Sequence, residues 1–158
     1  MSHYFLSSVT ERGNFVSEDN EFQKKKRYLA RYRKKKRLIN RLEDKLFEMD
    51  ASFHSLKGSA LSPAKTSGGV AQTIDDRYSQ IEDLEERINR LLSASRKLRV
   101  EIYNILDKLD NDKEIEVLEL YFIEDKSILD ISTQTNYSYR YVMKLYGDGV
   151  RAVVLPEK

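Results

Sequence analysis

Two stretches of heptad-spaced apolar residues lie on either side of one Gly, Ser and Pro-rich stretch, and folding the chain once about that stretch brings the two stripes into register. The first stripe is Phe22, Leu29, Tyr32, Ile39, Leu46, Met49 and Phe53; the second runs Ile74, Tyr78, Ile81, Leu84, Ile88, Leu91, Leu98, Ile102, Ile105 and Leu109. Steps of three, four or seven keep side chains on one side of a helix. The intervening KGSALSPAKTSGG can neither continue a helix nor build a core. Folding about it pairs Phe22 with Leu109, Leu29 with Ile102, Tyr32 with Leu98, Ile39 with Leu91, Leu46 with Leu84, Met49 with Ile81 and Phe53 with Tyr78. The single polar layer matches too, because Lys36 falls opposite Ser95, a placement that costs stability but holds register. The pattern predicts an antiparallel hairpin of coiled-coil-like helices; an intermolecular coiled coil using the same stripes is the alternative.

Boundaries follow from capping signals. Ser17 with Glu18, Asp19 and Glu21 predicts a helix start near residue 18, and Thr73 with Asp75 and Asp76 predicts a restart after the loop. The expected organisation is an N-terminal segment at 1–17 with no clear period, a hairpin at 18–110 with a flexible loop at 57–73, a three-helix unit at 111–153 and a tail at 154–158. The charged fraction of 34% against 40% hydrophobic suits thin, solvated helices. No cysteine is present, which removes disulfides and thiolate metal sites and fits a reducing compartment. The N-terminus carries no signal-peptide pattern, and no run approaches the ~18 apolar residues of a membrane span, so a cytoplasmic chain without a membrane partner is expected.

The net charge of +2 conceals segregation. Lys24, Lys25, Lys26, Arg27, Arg31, Arg33, Lys34, Lys35, Lys36, Arg37 and Arg41 form a run of eleven cations without an acid, and the hairpin sets five more, between Arg90 and Lys108, against only two acids. The other end, residues 42–57 with 74–89, holds ten acidic and four basic side chains. Like charges at i,i+3 and i,i+4 repel, so the basic run is costly until a polyanion neutralises it. Double-stranded DNA is the expected partner, bound through phosphates by Lys24 to Arg37.

The C-terminal segment carries the most specific pattern. Asn111 with Glu114 caps a helix bearing Ile115, Leu118 and Phe122; Ser127 with Asp130 forms a capping box for a short helix with Ile128, Leu129 and Ile131; Gln134 to Tyr137 make a turn; Ser138 caps a third helix that buries Val142 and Leu145. Tyr139, Arg140, Tyr141 and Lys144 are then left outside, able to reach bases or phosphates. The spacing predicts a helix-turn-helix, so the fold expected for the whole chain is all-α. Gly147 and Gly149 should fray the last turns of the third helix.

The stretch VLELYFIEDKSILDISTQTNYSYRYVMKLYGDGVRAV resembles region four of primary bacterial sigma factors, and more closely the C-terminal half of small phage late-gene transcription regulators of the ArpU and RinA type. The YLARYR motif at Tyr28 to Arg33 and the SGG at Ser67 to Gly69 match the basic helix and loop of those regulators. The resemblance implies a phage or prophage activator in a bacterial cytoplasm, working beside host RNA polymerase. By position in the sigma-like recognition helix it places base reading on Tyr139, Arg140 and Lys144, with Ser138 and Tyr141 nearer the DNA backbone; Arg151 is a further expected backbone contact.

Residues 112–151 hold eight acids against five bases, too acidic for strong phosphate binding alone. A division of labour is therefore expected, the hairpin supplying phosphate affinity and the third helix the sequence preference. Catalysis has no support: His3 and His54 lack ligand partners, no phosphate-binding or nucleophile motif is present, and no cofactor or metal is expected. Two rival functions fit the same pattern: a phage DNA-packaging subunit of small-terminase type, which would be a homo-oligomeric ring, and a coiled-coil adaptor.

Overall fold

The computed structural model describes the backbone of residues 7–58 and 74–157, and the side chains of 18–55 and 75–157. Its five elements are all helices: α1 (Ser7–Gly58), α2 (Ile74–Leu106), α3 (Asp112–Phe122), α4 (Ile128–Thr135) and α5 (Tyr139–Ala152). The SGG stretch, the Thr73 cap and His3 lie outside the described residues. Contacts divide the chain into one unit of residues 35–97 and another made of residues up to 34 together with 98 onward.

In the 35–97 unit, α1 and α2 pack antiparallel. Ile39, Leu84 and Ile88 are buried, with Leu42, Leu46, Met49, Leu91 and Leu92 around them. Near the loop end, the Phe53 and Tyr78 rings lie 6.5 Å apart. The register is the one the apolar stripes predict, because one antiparallel offset alone lets all these layers bury together. Ser95 is buried and satisfies its hydroxyl on its own helix, donating to the Leu92 carbonyl at 2.9 Å. Lys36 is half-buried.

In the other unit, Leu29 and Ile102 are fully buried in one core with Leu106, Val117, Leu118, Phe122, Ile131, Val142 and Val150, and Phe22, Tyr32 and Leu109 pack at its margin. The Tyr28 hydroxyl donates to the Glu101 carboxylate, and Arg31 Nη2 reaches the same oxygen at 2.7 Å. These bonds, the tyrosine's first, hold the Glu101 carboxyl below its ordinary range.

Three boundaries differ from expectation. The α1 backbone is helical from Ser7 rather than from residue 18, since a Ser followed by acids favours a start but does not stop a helix already running. The second helix ends at Leu106, where Lys108 and Leu109 amides turn to i−3 carbonyls at 3.3 and 3.0 Å and swing the chain into α3. The third correction concerns α5, which does not fray at its glycines but continues to Ala152. Gly149 is buried, and a Cβ there would stand 2.9 Å from Leu118 Cδ1 and 3.2 Å from Glu114 Cβ. The missing side chain lets α5 close on α3, and that packing outweighs glycine's poor helix propensity of about 1 kcal/mol.

Candidate nucleic-acid interface

Each helix of the C-terminal cluster starts on a side chain that satisfies otherwise unpaired amides. The Asn111 side chain accepts from the Lys113 amide, Ser127 and Asp130 exchange a full capping box, and Ser138 accepts from the Tyr141 amide at 3.2 Å. Two hydrogen bonds donated by Ser127, the hydroxyl's first and then the amide's, keep the Asp130 carboxyl below its usual value. Between α4 and α5 the chain reverses on Asn136, in the left-handed region at φ 57°. Asn tolerates that conformation because its short polar side chain meets little steric hindrance there. The Ser132 hydroxyl donates to the Tyr137 carbonyl at 2.6 Å and pins the turn.

This geometry decides what α5 presents. Val142, Leu145, Tyr146 and Val150 are buried, and burial pushes the Tyr146 hydroxyl above its ordinary range. Tyr139 is 55% exposed, and Ser138, Arg140, Tyr141 and Lys144 all face solvent. Ser138, Arg140, Tyr141, Lys144 and Arg151 line one shallow groove with Met143. Met143, 44% exposed, was not among the residues singled out from sequence; its place four residues after Tyr139 puts it on the same face. Asp148 also lies here and pairs with Arg151 at 3.2 Å. Tyr141 is braced edge-on by Tyr137 at 5.4 Å, with Lys113 Nζ 5.9 Å from its ring.

The basic run of α1 divides by face. Lys24, Arg27 and Lys34 are exposed, and Lys24 pairs with Glu21 at 3.3 Å. Lys25, Lys26 and Arg33 share the inward side with Phe22 and Leu29 and are half-buried. Lys25 Nζ donates to the Arg151 carbonyl at 2.5 Å, and the Arg151 guanidinium stands 5.4 Å from the Phe22 ring. α1 thus meets the C-terminal end of α5, about 10 Å along the helix axis from Lys144.

Arg33 and Arg31 are internal ties rather than free phosphate ligands. The Arg33 guanidinium pairs with Asp125, donates to the Lys126 carbonyl at 3.4 Å and lies 4.0 Å from the Tyr121 ring centre. Arg31 is taken up by Glu101 and stacks 3.7 Å from the Tyr28 ring centre. The cause is tertiary: each finds its carboxylate some seventy to ninety residues away in sequence. With only 13% and 22% of the Arg33 and Asp125 side chains exposed, Arg33→Ala should destabilise the fold by about 1–3 kcal/mol, between the values for surface and fully buried pairs. Thermal unfolding checks this, and an unchanged midpoint would show the pair to be incidental. Lys35, Lys36 and Arg37 belong to the 35–97 unit; Lys35 and Lys36 are half-buried and Arg37 is exposed.

Among the described residues no group of His, Asp or Glu is arranged to hold a metal ion, and no helix is long and apolar enough to cross a membrane. His54 pairs with Asp50 at 3.5 Å on the surface.

No curated protein and no solved structure matches this chain. A family model described as "Protein of unknown function (DUF1492)" matches residues 55–148, from the end of α1 through most of α5. The match leaves out the basic run at Lys24 to Arg37 and also Arg151. Because it spans more than half of the sequence, and takes in all of α2, α3 and α4, the chain belongs to the DUF1492 family.

Proposed function

We propose that this protein is a sequence-preferring DNA-binding regulator of transcription, of the phage or prophage ArpU and RinA type, acting in a bacterial cytoplasm in concert with host RNA polymerase. The observation that carries this reading is the outer face of α5. A capped helix at the end of a tight helix-turn-helix offers Tyr139, Arg140, Met143 and Lys144 to solvent while its other face is locked into the core. A helix so presented fits the major groove, where Arg and Lys pair with guanine edges and apolar groups meet thymine methyls. Lys24, Arg27 and Lys34 supply phosphate contacts from α1 in the same unit, since among the described residues no hydrogen bond or ion pair engages Arg27 or Lys34 and only a surface acid engages Lys24.

The reading is tested by fluorescence anisotropy on duplex DNA across a salt series, followed by transcription with bacterial RNA polymerase over phage intergenic templates. Binding should weaken steeply with salt. Replacing Lys24, Arg27 and Lys34 by Ala should flatten the slope of log affinity against log salt by roughly 0.9 for each phosphate no longer neutralised. No binding to any duplex at low salt would end the proposal, and binding without any change in transcript would end its regulatory half.

A further inference from the structure

In the 35–97 unit a groove of about 510 Å³ runs between α1 and α2, with Met49, Ile81 and Leu84 as its apolar floor and Lys45, Arg77 and Arg87 on its rim. Among the described residues Asp83 is the one acid that lines it. The cations are concentrated there although the surrounding sequence is acidic, ten acids to four bases over residues 42–57 and 74–89. On α1, Phe47 is 75% exposed, an unusual position for a ring of this size. It follows Lys45 by two residues, so it projects about 200° round the helix, away from the groove. Its neighbours on that face, at i−4, i−3 and i+3, are Glu43, Asp44 and Asp50, all exposed. Asp50 makes a surface contact to His54 at 3.5 Å.

The unit therefore carries an aromatic knob ringed by acids on one side and an apolar socket ringed by bases on another. We propose that the occupant of the groove is a second copy of this chain, Phe47 of one molecule seating on the Met49, Ile81 and Leu84 floor of the next while its acidic collar meets Lys45, Arg77 and Arg87. Charge selects this pairing. Because Phe47 and the groove point about 200° apart round α1, no single two-fold contact can seat both knobs in both sockets, and the complementary contact is head-to-tail. An open assembly always keeps one knob unfilled at one end and one socket at the other, so association continues beyond the dimer to a closed ring or an open filament. A DNA duplex is the poorer occupant, because the net negative charge around the groove repels it.

Sedimentation of the full chain over a concentration series decides the matter without DNA. The wild type should exceed dimer mass as concentration rises, and salt should weaken the association. Phe47→Glu, which spoils the knob, and Arg77→Glu with Arg87→Glu, which spoils the socket, should each lower the association constant at least about tenfold, as removal of a central aromatic or arginine anchor does. Mixed together, the two variants retain one good knob and one good socket between them and should form heterodimers and nothing larger. Circular dichroism checks folding, and Phe47→Ala mixed with Arg87→Ala repeats the experiment should a reversal unfold. A wild type that stays monomeric, a Phe47 variant that assembles like the wild type, or a mixture that fails to pair overturns the proposal.

Discussion

Gly149→Leu should lower the thermal midpoint of the protein by roughly 10–20 °C, the shift that about 2–3 kcal/mol produces in a unit of this size. A single Cβ at this position already falls 2.9 Å from Leu118 Cδ1 and 3.2 Å from Glu114 Cβ. Leu118 is fully buried and has no room to withdraw, so a branched side chain must push α5 off α3, with the overpacking cost of about 1–3 kcal/mol or more. Gly147→Ala is the control. There the new Cβ meets only the Arg151 guanidinium, at 3.2 Å, the mobile end of an exposed side chain. Removing a glycine from the helix interior should then stabilise by up to about 1 kcal/mol. Equal effects at the two glycines, read by thermal unfolding, would show that α5 does not approach α3 as closely as described.

Arg140→Ala and Lys144→Ala should each weaken binding to a preferred duplex about 5- to 150-fold, the equivalent of about 1–3 kcal/mol, with little change in affinity for random duplex. Both side chains are exposed and, among the described residues, no hydrogen bond or ion pair holds either, so the fold should be unaffected and the thermal midpoint unchanged. Arg140 should show the larger loss of discrimination because its planar fork can engage both acceptors of a guanine, whereas the lysine offers a point charge. The pattern separates three roles: α5 substitutions change sequence preference, Lys24, Arg27 and Lys34 change the salt slope, and Arg33 changes stability. If Arg140→Ala lowered preferred and random affinity by one common factor, the residue would be a phosphate ligand and base reading by α5 would be refuted.

What was legible in the sequence was what short range determines. The starts of α3, α4 and α5 at Asn111, Ser127 and Ser138 follow from bonds that each span two or three residues, so the residues that cause them sit beside one another in the chain. Helical period likewise sorted Val142 and Leu145 from Tyr139, Arg140 and Lys144, since burial of one face of α5 leaves the other to water. The hairpin register was readable for a related reason: apolar layers at fixed spacing coincide at one offset and clash with polar residues at others.

The division of the basic run was not legible. In KKKRYLARYRKKKR every cation looks alike, yet Arg31 and Arg33 are bound to Glu101 and Asp125 while Lys24, Arg27 and Lys34 face water. Nor does a Gly in a helix announce whether it weakens the helix, as its propensity alone suggests for Gly149, or admits a neighbour. Period and the caps of α3, α4 and α5 are set by a residue's own few neighbours, and the sequence by itself determined them, as it did the folding back of two of the five helices found among the described residues. Which charges are consumed inside the fold, and where two helices touch closely enough to demand glycine, depends on partners that meet only after the chain has closed, such as Lys25 and Arg151 across 126 positions. Those matters the tertiary structure alone decided, because ion pairing and close packing act over a few ångströms of space whatever the distance along the chain.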